Sequence, residues 1–283
     1  MLVNLKTILS IAEAKKIAVG AFNITSLEAI QVAIGVAEEL EQPIILQFAP
    51  VHENIILLEV IGPIMVMMGE KARVPVCVHL DHGETFGAIH QALELGFTSI
   101  MYDGSFLSFE ENVANTKAAV EIARRYGASV EAEIGSMGRE ECASAGVEEG
   151  VVAADYTEPK QAEEFVEATN IDALACSFGT VHGIYVKEPC LDFDRITEIK
   201  KCTSVPIVMH GGSGVSAEDF KRCIANGVRK INYYTYLAKA GGEAVRKECA
   251  NAQGNVYYHD VTLWGIEAMK TDIRHTISVF SNL

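Results

Sequence analysis

The sequence predicts one eight-stranded (β/α)8 barrel occupying residues 1–283. Three observations carry that prediction. Short, nearly continuous apolar runs alternate with longer segments of helical period. There are eight such runs, and no Pro/Gly/Ser-rich linker or low-complexity tract interrupts them. The runs also tend to finish in polar or ionisable residues, as strands do when they deliver side chains to the mouth of a parallel barrel. An open doubly wound sheet is the alternative, disfavoured because the first run lacks a G-x-G-x-x-G turn.

Strands are expected near 17–23, 43–49, 75–81, 99–104, 128–135, 173–179, 206–211 and 230–235. Their apolar continuity suits parallel strands covered on both faces. Between them, Thr25 or Ser26 caps a helix running to about Glu41, and Gly83-Glu84 opens one that ends before Gly96. Residues 109–125 form a helix stopped by Tyr126-Gly127. Ser216 caps 217–225, which ends at Asn226-Gly227. The longest irregular stretch, 136–158, exceeds the usual loop length and suits an active-site lid.

Bulk properties narrow the function. With 283 residues and 49% hydrophobic content, the chain buries a large core. A net charge of −15 opposes a nucleic-acid surface, which needs clustered Lys and Arg. The seven cysteines are odd in number and form no C-x-x-C pair, so buried, reduced thiols and a cytoplasmic location are expected. No leader pattern opens the chain. The longest apolar run, 55–68, is interrupted by Glu59, Gly62 and Pro63 and falls short of the roughly 20 residues that span a bilayer. No membrane association is expected.

The chemistry concentrates at three histidines, each followed by glycine and each placed at a predicted strand end: His82, His182 and His210. Three imidazoles with an open fourth position are what a catalytic zinc needs. Separations of 100 and 28 residues (82 to 182 to 210) exclude a zinc finger and require a fold that gathers distant strand ends. Asp81 precedes the first histidine; it serves either as acid/base on a substrate hydroxyl or to orient an imidazole. Asp103 and Glu133 either fix imidazole tautomers from behind or offer an alternate metal position. His79 is expected behind the metal ligands; His52, His90, His259 and His275 are expected to be ordinary surface or packing residues. Gly211, Gly212 and Ser213, with Asn232 and Thr235, form a candidate phosphate pocket after the seventh and eighth strands.

These segments resemble the class II, metal-dependent ketose-bisphosphate aldolases, the fructose- and tagatose-bisphosphate aldolases among them. The resemblance covers nearly the whole chain. It rests on Ala21-Phe22-Asn23, His79-Leu80-Asp81-His82-Gly83, Glu131-Ala132-Glu133-Ile134-Gly135, Thr180-Val181-His182-Gly183, His210-Gly211-Gly212-Ser213-Gly214 and Asn232-x-x-Thr235, in that order. It implies reversible cleavage of a ketose 1,6-bisphosphate to dihydroxyacetone phosphate and an aldehyde, within carbohydrate metabolism of the glycolytic type. It implies Zn2+ on His82, His182 and His210, and the ketose phosphate near Asn23, Gly183, Gly211, Gly212, Ser213, Asn232 and Thr235. A monovalent cation (Na+ or K+) near those loops and a homodimer or homotetramer are also implied. Asp81 would handle the C4 hydroxyl proton, and Glu141, beside Glu140, the proton at C3.

Three departures bear on the substrate. The lid reads Gly138-Arg139-Glu140-Glu141, where relatives often carry Gly-Gly before the acidic pair. His259-Asp260-Val261 stands where many bisphosphate aldolases have Asp-Pro-Arg to grip the distal phosphate. Tyr234 is bulkier than the residue often found there. Arg139 is a replacement cation, or the substrate is a ketose 1-phosphate without the distal phosphate. A non-catalytic sugar-phosphate-binding barrel is the remaining alternative, and it would not require the metal ligands and Asp81 that are all present. The sixth strand offers no lysine for Schiff-base chemistry.

Overall fold

The computed structural model describes residues 1–135, 138–140, 156–183, 185 and 189–283, with only the backbone described at 138–140 and His182. Among these residues ten strands follow in chain order: β1 (Val19–Asn23), β2 (Ile44–Phe48), β3 (Val76–Gly83), β4 (Ser99–Tyr102), β5 (Ser129–Ile134), β6 (Gly138–Glu140), β7 (Ala173–Cys176), β8 (Val181–Gly183), β9 (Ile207–Met209) and β10 (Val228–Tyr233). Eight of them close into a barrel in the order β1-β10-β9-β7-β5-β4-β3-β2. Its ladders are parallel, with Ala21 opposite Asn232 and Gln47 opposite His79. The expected (β/α)8 barrel is therefore the observed one. β6 and β8 pair separately as a short parallel ribbon.

Among the described residues ten α-helices accompany the strands: α1 (Leu5–Lys15), α2 (Leu27–Glu39), α3 (Leu58–Lys71), α4 (Phe86–Glu94), α5 (Phe109–Arg125), α6 (Pro159–Thr169), α7 (Phe193–Cys202), α8 (Ala217–Asn226), α9 (Thr235–Asn251) and α10 (Tyr258–Phe280). Ser26 and Ser216 start helices as expected, and Ser108, to which no cap was assigned, starts another. Ser26 Oγ accepts from Ala29 N, Ser108 and Glu111 form a capping box, and Ser216 Oγ accepts from Asp219 N. The run 55–68 becomes most of α3, and among the described residues no helix is long and apolar enough to cross a membrane.

Period-two alternation divides the barrel strands into two populations. Outward residues such as Phe22, Phe48, Val78, Ile100, Leu174 and Ile231 pack under the helices in the main core. Each such side chain, fully buried, contributes roughly 1.5–3 kcal/mol. Inward residues near the strand starts, among them Val19, Ala21, Ile45, Cys77 and Val208, meet Leu5, Ile8, Leu9 and Ala12 of α1. This unexpected helix plugs the N-terminal end of the barrel with an apolar floor. Above that floor the inward positions turn polar: His79, Glu131, Glu133, Lys230 and Asn232 are all buried. The barrel is thus closed below and chemically equipped above.

One expectation needs correction, and another falls mostly outside the described residues. Cys77, Cys176 and Cys223 are buried, but Cys190, Cys202 and Cys249 are exposed, so the thiols are not uniformly interior. Of the expected lid 136–158, residues 138–140 form β6, whereas 141–155, which include Glu141 and Cys142, lie outside the described residues.

Candidate active site

Successive residues of a regular strand face opposite sides, yet Asp81 and His82 both belong to one cluster. The reason is local. The β3–β4 register shifts between Leu80 and Gly83, and His82 adopts the left-handed conformation at φ 47°. Gly83 then passes so close to β4 that a Cβ would stand 2.6 Å from Met101 O. His82 Nδ1 pairs with Asp103 Oδ2 at 2.7 Å, and Asp103 Oδ1 accepts from the Ser105 hydroxyl at 2.7 Å. That arrangement commits Nδ1 and presents Nε2 to a ligand. Burial would lower the His82 pKa, but Asp81, the Asp103 hydrogen bond and Glu133 overcome it and raise it to about 10.

His210 follows β9 and is fully buried. Its Nε2 pairs with Glu131 Oε1 at 2.8 Å, while Nδ1 lies 3.5 Å from Glu133 Oε2. The residue that orients His210 is therefore Glu131, not Glu133. The His82 and His210 rings meet edge to face, their centroids 4.8 Å apart. Asp81 sits beside them in a cage of amides. Asn23 Nδ2 and Gln47 Nε2 donate to its Oδ2 at 3.0 and 3.1 Å, and Asn232 Nδ2 donates to Oδ1 at 2.9 Å. Burial alone would push this carboxyl up; the fields of His82, His210 and Lys230 hold it far below the usual carboxylate range.

The donor set suits a divalent cation. Asp81, His82 and His210 each offer a ligand atom within 4.8 Å of the others, and so do His82, Asp103 and Glu133. Glu133 Oε2 is buried without a hydrogen-bond donor, and burial next to Asp103 pushes its carboxyl well up. A buried oxygen in that state needs a proton or a metal ion.

His182 departs from expectation. It does not end a barrel strand: β7 stops at Cys176, and His182 lies on β8, its backbone opposite Arg139 of β6. Its side chain is outside the described residues, as is all of Glu141; Glu140 is placed by its backbone opposite Gly183. Two of the three expected imidazoles are thus observed together.

A cavity of about 210 Å³ at the same end gathers all seven residues expected to bind substrate: Asn23, Gly183, Gly211, Gly212, Ser213, Asn232 and Thr235. Gly211 has φ 63°, and a Cβ there would lie 2.3 Å from Val181 O, so only glycine fits. The Tyr185 hydroxyl donates to Gly211 O at 2.8 Å. Ser213 Oγ accepts from Tyr234 N at 3.2 Å, next to the N-terminus of α9, which begins at Thr235 rather than continuing the strand. Such a terminus, with turn amides beside it, is suited to an anion. A larger cleft of about 790 Å³ lies elsewhere, lined by residues of α1 and α6 and by Lys200. Both of its lysines are paired within it, as Lys200–Glu13 and Lys6–Asp172.

Four positions that touch the cluster or line the cavity were given no role by the sequence reading: Gln47, His52, Glu131 and Lys230. Alternation contained the signal for two, since Lys230 shares its strand face with Asn232 and Glu131 with Glu133. Lys230 is fully buried, with Nζ 2.8 Å from Glu131 Oε2. His52, expected to be an ordinary surface or packing residue, is 9% exposed and lines the cavity.

The profile described as fructose-bisphosphate aldolase class-II matches residues 3–282. A Bacillus subtilis (strain 168) protein named "Probable fructose-bisphosphate aldolase" is 41% identical over 252 residues, which cover 88% of this chain and 87% of that one. The crystal structure of the YdjI aldolase from Escherichia coli K12 superposes with a TM-score of 0.87 at 34% identity, covering 99% of this chain and 97% of that chain. The fructose-bisphosphate aldolase (Fba) of Campylobacter jejuni shares the fold, with a TM-score of 0.79 at 24% identity and coverage of 99% and 95%.

Proposed function

Because this chain belongs to the class II fructose-bisphosphate aldolase family, whose members are metal-dependent lyases, we propose that it reversibly cleaves a ketose 1,6-bisphosphate of the fructose or tagatose type to dihydroxyacetone phosphate and an aldehyde. The observation that carries this reading is Asp81, an ionised carboxylate held by three amides at the edge of a two-imidazole cluster. In cleavage Asp81 accepts the C4 hydroxyl proton as the C3–C4 bond breaks; in condensation it returns that proton to the aldehyde oxygen. Asn23, Gln47 and Asn232 fix its direction and favour its charged form.

His82, His182 and His210 would hold zinc, with Asp103 and Glu131 orienting the first and last, and Glu133 near an alternate position. When bound, the ion polarises the ketose carbonyl and lowers the cost of the negative charge left at C3. Glu141 handles the proton at C3. The phosphate of the dihydroxyacetone half is received at Gly211, Gly212, Ser213, Asn232 and Thr235, with a monovalent cation nearby and Gly183 closing the cavity wall. A cytoplasmic homodimer or homotetramer built from this one domain completes the proposal.

A second reading has its own support. Among the described residues lining the cavity there is no Lys or Arg, and Val261 in the first turn of α10 takes the place of the distal-phosphate arginine. A ketose 1-phosphate with an uncharged distal end fits that lining. Both readings require zinc-loaded protein to exchange a hydroxymethyl hydrogen of dihydroxyacetone phosphate with solvent. Folded, metal-replete protein that exchanges none would overturn both.

A further inference from the structure

Tyr185 follows β8 and packs, half-buried, against the main core. Its hydroxyl makes two backbone hydrogen bonds at once. It donates to Gly211 O at 2.8 Å and accepts from Val181 N at 3.1 Å. A phenol offers one proton and accepts through its lone pairs, so neither bond excludes the other. The two partners belong to different parts of the fold. Val181 begins β8 of the separate ribbon, and Gly211 lies in the loop after β9.

These two main chains are also in close contact. A Cβ on Gly211 would stand 2.3 Å from Val181 O, and one on Gly214 would stand 2.9 Å from Tyr185 Cδ2. The loop is therefore held on two sides. Toward the barrel, Gly212 N donates to Asn232 O at 3.2 Å, and Ser213 Oγ accepts from Tyr234 N at 3.2 Å. Toward the ribbon, the Tyr185 hydroxyl spans the gap.

Chain position gives that hydroxyl its meaning. Val181 immediately precedes His182, and Gly211 immediately follows His210. One oxygen thus ties together the backbones beside two of the histidines that the aldolase reading assigns to zinc. Gly211 also heads the loop that the same reading assigns to the substrate phosphate, with Gly212 and Ser213. Tyr185 is not among the described residues that line the cavity, so it acts through the backbone rather than on the substrate. Holding a site in its binding geometry beforehand lowers the ordering cost of each ligand that enters it.

We propose that Tyr185 is a positioning residue shared by the metal centre and the phosphate loop: by holding Val181 against Gly211, its hydroxyl preorganises both, and its loss weakens zinc and phosphate binding together. The inference rests on the aldolase reading.

The test uses full-length protein. Tyr185→Phe keeps the ring over Gly214 and removes only the hydroxyl. Chelator competition reads zinc affinity without turnover, and a fall of about tenfold is expected, the scale of one hydrogen bond. At saturating zinc, KM for dihydroxyacetone phosphate in solvent exchange should rise about tenfold, with kcat within about threefold of wild type. Exchange of unphosphorylated dihydroxyacetone should change by less than about threefold, since it lacks the group the loop receives. Equal loss of both exchange reactions would mark a generally loosened fold and overturn the inference. So would a folded variant whose zinc affinity or KM stays within about threefold of wild type.

Should the variant not fold, zinc-loaded wild type supplies the reading. Dihydroxyacetone phosphate should slow hydrogen–deuterium exchange at the Val181 amide by about tenfold, followed by NMR, although Val181 is outside the described cavity lining. An unchanged rate at that amide overturns the inference. Wild type that exchanges no hydrogen of dihydroxyacetone phosphate overturns the aldolase reading, and this inference with it. Wild type that does so, beside an unaltered variant, overturns this inference alone.

Discussion

Lys230 Nζ lies 2.8 Å from Glu131 Oε2, and both side chains are fully buried inside the barrel. The ammonium meets the carboxylate as an ion pair, outside hydrogen-bond alignment. The other Glu131 oxygen holds His210 Nε2, and His79 Nε2 stands 3.6 Å from Oε2. Burial would raise the Glu131 pKa, yet Lys230 and the His210 hydrogen bond bring it down to about 2. His79, desolvated and next to Lys230, is pushed down to about 3 and stays neutral. An ionic column therefore runs from the barrel interior to the back of His210.

Removing one end of that column should be costly. Lys230→Met strands a buried carboxylate, and a loss of about 3–5 kcal/mol is expected, read as a lower Tm by calorimetry. Lys230→Met combined with Glu131→Gln should recover most of it. A single variant as stable as wild type would show that the carboxylate finds another way to be neutralised.

Metal binding should depend on pH with a definite sign. With its pKa raised to about 10, His82 is protonated across the neutral range in metal-free protein. Its protonation stabilises the metal-free fold fully below the unfolded value of about 6.5, and that contribution is lost as pH rises through about 10. A divalent ion must displace this proton, so apparent affinity should increase by up to about tenfold per pH unit across the same window. Chelator competition at several pH values measures it; an affinity independent of pH would contradict the assignment of His82 as a ligand.

Asp81→Ala should separate the two halves of the reaction. Cleavage is expected to fall by about 10²–10⁴-fold, while solvent exchange of dihydroxyacetone phosphate persists. Equal loss of both would mean that Asp81 acts in the first half-reaction or holds the site together.

Gly211→Ala tests the phosphate loop through its backbone. The new Cβ would meet Val181 O at 2.3 Å in a left-handed conformation. KM for dihydroxyacetone phosphate is expected to rise by about tenfold or more, for about 1.4 kcal/mol of lost binding. Gly35→Ala is the control: it sits inside α2 with nothing near its Cβ position, and a gain of about 0.5–1 kcal/mol is expected. Unchanged KM in Gly211→Ala would remove that loop from the phosphate site.

Much of this was legible beforehand. The eight barrel strands fall where apolar runs end in polar residues, because parallel strands are covered on both faces and open only at their C-terminal ends. α1 was readable too, through an Asn4 cap and the spacing of Leu5, Ile8, Leu9 and Ala12, but no catalytic motif drew notice to it. The Glu131–Lys230 pair needed alternation followed below the rim, one layer beneath the residues that suggested chemistry. The bulge at His82 and the separate ribbon carrying His182 were not readable, since both arise from how neighbouring strands meet in space. His52 was hidden for a similar reason: its burial depends on Tyr234, distant in sequence.

The left-handed turn at His82 carries a consequence for anyone engineering this enzyme. Most side chains with a Cβ cost about 1–2 kcal/mol in that basin, whereas glycine, which lacks one, and asparagine, whose short amide bonds locally, occupy it more readily. A selection for heat resistance alone would thus drift toward replacing this imidazole, improving the scaffold while discarding its chemistry. Library designs should hold position 82 constant and seek robustness elsewhere.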